Sequence, residues 1–195
     1  MRKTLPRPGR FPQSAPERRR LLLWALHVRR VSGAASRVSS RLMVLLRELG
    51  TDFAECTTPR GALRAWVLAP NVFVTQGEGH MTDEHCKFIE AYGEERIRRY
   101  SGKLFVFHDW RELTGYDSMT RVRLTAWSVA HRQSYQEVHL AVRSRIIAMG
   151  VQVANVAVGG IMRAHSGVAT LEVELARALR IAGSPIASLR PPAPR

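Results

Sequence analysis

The run Lys103-Leu104-Phe105-Val106-Phe107-His108-Asp109-Trp110-Arg111-Glu112-Leu113-Thr114-Gly115-Tyr116-Asp117-Ser118-Met119 decides the fold. Leu104 to Phe107 form an unbroken apolar stretch. A strand with one wet face alternates apolar and polar residues, whereas an unbroken run needs cover on both faces, as in the centre of a helix-covered sheet. The polar residues after Asp109 predict a loop. Asp117 or Ser118 then caps a helix, because a short side-chain oxygen can accept from a free first-turn amide. Met119, Val122, Ala126 and Val129 follow at helical spacing and are the expected inner face of that helix.

Working outward, Ala62–Leu68 and Val72–Thr75 are β-prone runs split by Ala69-Pro70-Asn71, which predicts a hairpin ended by Gly77 and Gly79. Thr82 caps the next helix, with Asp83 and Glu84 at its positive end and His85, Phe88, Ile89 and Tyr92 on the buried stripe. Val138–Val142 reads as a strand. A helix over residues 144–158 buries Ile146, Ile147, Val151, Ala154 and Ala157. Ile161–Ala164 is a short last strand, and Thr170–Ile181 a helix on Leu171, Leu175 and Leu179. Strands alternating with helices predict an α/β domain. Its sheet is mostly parallel (mixed), with four to five strands, flanking helices and right-handed crossovers.

The charge is concentrated at one end. The net +14 divides into twelve Lys/Arg against the single acid Glu17 through Arg47, and eighteen basic against fifteen acidic groups thereafter. A nucleic-acid partner is therefore not expected for the folded domain. Residues 1–58 read as a basic leader and residues 183–195 as a Pro-rich tail, leaving residues 59–182 as the domain. Four readings of the leader stand open: a plain basic tail, translation really starting at Met43, an arm for phosphates or anionic lipid, and a targeting segment. No apolar run approaches the ~18 residues that span a bilayer. Cys56 and Cys86 make no disulfide framework, so a reduced cytoplasm is the expected compartment.

The element order and the 103–119 run resemble the STAS domains, the fold of bacterial anti-sigma factor antagonists, over residues 61–181. The resemblance implies that Asp109 ends the central strand. It also implies that Asp117-Ser118 matches the family's Asp-Ser pair, whose serine is a phosphorylation switch in many members. Met119-Thr120 follow where the family usually carries Ser-Gly. The long second helix and the Glu137–Val142 strand equally resemble the STAS-like branch that lacks the phosphoserine pattern and shares its topology with CRAL-TRIO lipid-binding proteins. The implied function is non-enzymatic regulation through a protein partner, such as an anti-sigma-type kinase. The docking residues would be Asp109, Tyr116, Asp117, Ser118, Met119 and Arg121. A carrier for a lipid or another small apolar or anionic ligand is the alternative, and no cofactor is implied.

Physical chemistry gives Ser118 two roles. A phosphate there would meet free amides and a favourable dipole, with Arg121 and Arg123 within a turn. Alternatively Asp117 or Ser118 merely caps the helix. The seven histidines show no zinc spacing, and Cys86 lacks a base because His85 projects about 100° away around a helix. Gly77-Glu78-Gly79 and Gly159-Gly160 read as turns, and Trp66, Trp110 and Trp127 as packing. Arg143 and Arg145 flank a strand end, where an anionic ligand is the alternative to solvated charge.

Overall fold

The computed structural model describes residues 45–48, 53–185, 187 and 189–191. The sheet follows chain order: β1 (Leu45–Glu48), β2 (Phe53–Thr58), β3 (Gly61–Ala69), β4 (Val72–Met81), β5 (Leu104–Tyr116), β6 (Tyr135–Ala141) and β7 (Met162–His165). β1 to β4 are antiparallel neighbours, and β4 to β7 are parallel. The helices are α1 (Asp83–Arg99), α2 (Ser118–Ala130), α3 (Arg145–Ala157) and α4 (Val168–Ile181).

The α/β class and the mixed sheet agree with the sequence, but the sheet is larger than four to five strands. Six run from Phe53 to His165, and β1 adds a seventh at the edge. The expected leader lies mostly outside the described residues; its last six residues are β2. Glu55 disguises this strand, and its carboxylate accepts from Arg64 of β3 at 2.8 Å across the pair. Within the expected Pro-rich tail, Leu189 is buried.

Each parallel crossover steps one strand in the same direction. The right-handed rule therefore places α1, α2 and α3 on one face. Phe88, Ile89, Leu124, Trp127, Ile147 and Val151 pack there on Phe73, Leu104, Val106 and Leu140. α4 has no strand to return to and covers the other face. Leu171, Leu175 and Leu179 meet Val72, Val74, Phe105 and Phe107 there, and Leu189 joins Phe53 and Trp66 in the same cluster. The apolar run of β5 is buried on both sides, as its composition demands, each side chain contributing roughly 2 kcal/mol.

Two local expectations fail. β4 continues past Gly77 and Gly79 to Met81, with a register shift in its pairing to β5. β5 does not stop at Asp109 but runs to Tyr116. Trp110 and Leu113 remain buried within the polar-looking stretch, and the Trp110 indole N–H donates to Thr75 Oγ1 of β4 at 3.0 Å. These anchors and continued pairing with β4 outweigh the turn-like composition.

Candidate functional site at the start of α2

The corner is built by strand pairing. His80 of β4 lies beside Gly115 of β5, and Met81 beside Tyr116. The tip of the β2–β3 hairpin folds against this end, where His80 N–H donates to Arg60 C=O at 2.8 Å. Gly79 has φ +75°, and a Cβ on it would stand 2.5 Å from Arg60 O, so a side chain there would push the tip away.

Asp117 is the residue preceding α2, but its carboxylate does not cap the helix. Instead Oδ1 accepts from His80 Nε2 and from Arg60 Nη1, both at 2.9 Å. The His80 bond, followed by that of Arg60, holds the carboxyl below its ordinary pKa. Sequence reading missed Arg60 and His80, which lie 57 and 37 residues from Asp117 and meet it only through the sheet.

Ser118 is the first residue of α2 and is exposed. Tyr116 is half-buried, with its hydroxyl 2.9 Å from where a Cβ on Gly150 would stand, and Arg121 is exposed. Arg123 is committed elsewhere. It donates to Glu90 through Nε at 2.7 Å and to Asp83 through Nη1 at 2.8 Å, tying α2 to α1. Of the two arginines expected near Ser118, Arg121 alone keeps an uncommitted place on the surface. Asp109 does not join the corner. It is buried mid-strand on the α4 face, in Phe107's alternation, and accepts both Arg111 bonds at 2.8 and 2.9 Å.

The expected inner face of α2 is its outer face. Met119 is 67% exposed, and Val122, Ala126 and Val129 are exposed as well. Thr120, Leu124 and Trp127 turn inward instead. On α3, Ile147, Val151 and Ala154 point in as expected. Ile146 and Ala157 point out, and Met149, Val153 and Val156 are also strongly exposed. Tyr116, Arg121, Ile146, Met149, Gly150 and Val153 line a groove between the two helices.

Beneath α2 and α3 lies an apolar cavity of about 100 Å³. Its walls include Phe73, Val106, Trp110, Leu113, Leu124 and Val151. Two wall residues, Trp127 and Tyr135, carry a buried indole N–H and a buried hydroxyl with no hydrogen-bond partner among the described residues. At such sites a bound polar atom would offset a desolvation cost of about 1–3 kcal/mol each.

The α4 face holds a second polar group that the sequence did not reveal. Glu137, His139 and Glu174 bring their ligand atoms within 4.8 Å of one another, which is metal-like geometry. Arg177 already bonds to both carboxylates. His139 is fully buried between Glu137 and His165, at 3.0 Å from each. The acids are thus paired with a guanidinium and an imidazole. At the strand end, Arg143 pairs with Glu112 at 2.9 Å.

No family model matches this chain, and no curated protein matches it. Among solved structures, the chain is similar to one described as an uncharacterized protein from the DUF3478 family with a SpoIIAA-like fold, from Shewanella loihica PV-4. The identity is 13% and the TM-score 0.45, covering 73% of this chain and 99% of that one.

Proposed function

We propose that this chain is a non-catalytic, protein-binding regulatory module of the anti-sigma-antagonist-like kind. Its docking surface is the Tyr116–Arg121 corner together with the outer face of α2 and α3. The observation that carries this reading is the apolar surface itself: seven large hydrophobic side chains on two adjacent helices face outward beside a polar, ion-paired corner. Exposed apolar area of that extent marks a contact surface. Ser118 sits at its edge, where a phosphate would add charge to the surface that a partner must cover.

The remaining chemistry supports binding over turnover. Both thiols are buried, and burial pushes Cys56 up to about 12 and Cys86 up to about 11, far from thiolate character at neutral pH. The best-formed acidic groups are committed to arginines. Among the described residues, no helix is long and apolar enough to cross a membrane. The test is capture of partners from source-cell lysate by wild-type protein and by Ser118→Asp. Capture at least tenfold weaker, with an unchanged melting temperature, supports the corner as the switch. Equal capture by both proteins rejects it.

The cavity favours a second reading, a small apolar ligand. Its volume of about 100 Å³ suits a ring or a short alkyl group and is well below the ~300–1,000 Å³ of common ligand pockets. A two-chain lipid does not fit without displacement of α2. Native mass spectrometry distinguishes the cases: a stoichiometric adduct supports the ligand, and the bare chain mass counts against it.

A further inference from the structure

The exposed apolar residues are not scattered. On α2 they fall at 119, 122, 126 and 129, and on α3 at 146, 149, 153 and 156. Both sets have the spacing three, four, three, which is the seam that one helix presents to another in knobs-into-holes packing. α2 packs between α1 and α3, so its exposed seam points away from the sheet, and the α3 seam borders the groove beside it.

Charge separates the candidate occupants. Residues 124–130 of α2 and 146–157 of α3 contain no charged side chain. The arginines of this layer's seam-bearing helices cluster at their N-terminal ends: Arg121 and Arg123 on α2, Arg145 on α3. A surface helix that lies on lipid carries Lys/Arg along its polar face, whereas the flanking positions here are Thr125, Ser128, Gln152 and Asn155. A heterologous partner is ordinarily specified by complementary charge, and apart from the arginines at its N-terminal end this face offers none. A neutral apolar face is complementary to itself under a two-fold axis. The seven exposed side chains present roughly 800 Å², about what one partner contributes to a standard interface.

We propose that the outer face of α2 and α3 is a homodimer interface, taking the same face of a second copy in a four-helix layer. This rests on the protein-binding reading and names the partner for the apolar part of that surface. The two exposed methionines, Met119 at the start of the α2 seam and Met149 beside the groove, adapt to the groove opposite.

Sedimentation velocity of the full chain tests it. Wild-type protein at roughly 100 μM, a hundredfold above a micromolar dissociation constant, is expected to sediment at twice 21.9 kDa. The double variant Met149→Asp/Val153→Asp is expected to be monomeric at the same concentration, its dissociation constant raised roughly ten-thousandfold or more by four unpaired buried charges, two from each copy. Its melting temperature should match wild type when both are diluted well below the wild-type dissociation constant, since both positions are exposed in the monomer. Val173→Asp, on the exposed side of α4 across the sheet, should remain dimeric. A monomeric wild type, a dimer that survives the double substitution, or equal dissociation by Val173→Asp would each overturn the proposal. Partner capture by a monomeric wild type, lost in the double variant, would overturn the second copy while leaving the protein-binding reading intact. Monomers that float with neutral lipid vesicles would assign the face to membrane instead.

Discussion

Gly93→Ala sets two effects of opposite sign against each other. Gly93 is buried within α1, and alanine is worth about 1 kcal/mol over glycine in a helix interior. A Cβ at this position would stand 2.5 Å from Trp127 Cη2 and 2.8 Å from Cζ2 of α2. The indole is rigid and is packed against Tyr135 and His131 at centroid distances of 6.0 and 4.9 Å. It must move by about an ångström, and such overpacking typically costs 1–3 kcal/mol. The clash wins. The net expectation is a loss of about 1 kcal/mol, or 2–4 °C in melting temperature for a domain of this size, with a change in near-ultraviolet circular dichroism from the displaced ring. In a Trp127→Phe background the outer ring is gone, and the same substitution should become neutral or stabilising, a coupling read by a double-mutant cycle. A rise of 2 °C in the wild-type background would refute the reasoning, because it would mean that α1 and α2 are not in tight contact there.

Other expectations follow from buried chemistry. Thr75 Oγ1 accepts from Trp110 and shares a hydrogen bond of 2.7 Å with His108 Nδ1; burial pushes the His108 pKa down to about 3. The unfolded chain takes up this proton near pH 6.5 and the folded chain does not, so stability falls as pH drops from 6.5 toward 3, by up to about 1.4 kcal/mol per unit. Burial also depresses His85, His139 and His165. Denaturant melts of His108→Gln should therefore show a shallower, not abolished, loss between pH 6.5 and 5. Cys56 and Cys86 should resist an aromatic disulfide reagent at pH 8 in the native protein and react fully in guanidinium; fast native labelling would contradict their burial. Arg123→Ala should loosen α2 from α1 through Glu90 and Asp83. It should cost about 1–2 kcal/mol because the pairs are partly exposed, and a thermal melt reads the loss.

Much of the scaffold was legible because its determinants are local. The unbroken run at Leu104–Phe107 reports cover on two faces, and the Leu171, Leu175, Leu179 stripe reports a single buried helix face. α2 was misread because it carries two competing stripes. The more uniformly aliphatic one at Met119, Val122, Ala126 and Val129 faces out, while Thr120, Leu124 and Trp127 face in. Periodicity detects both but cannot say which one the sheet takes. The extension of β5 through Arg111–Tyr116 was hidden for a different reason: its anchors, Trp110 and Leu113, lie among turn-like residues, and the pairing that keeps them extended comes from β4. The corner was half visible. Asp117 and Ser118 stood out by type, but Arg60 and His80 reach them only through the sheet register, which has no signature in a local window.

The burial of Leu189 against Phe53 and Trp66 bears on the order in which the domain is made. During synthesis the hairpin carrying Phe53 and Trp66 leaves the ribosome long before the leucine that shields it. The intervening strands and helices must therefore assemble while that aromatic pair is still wet. The nascent protein stays adhesive along this flank until its closing segment arrives, and a truncation before Leu189 would fix it in that sticky state.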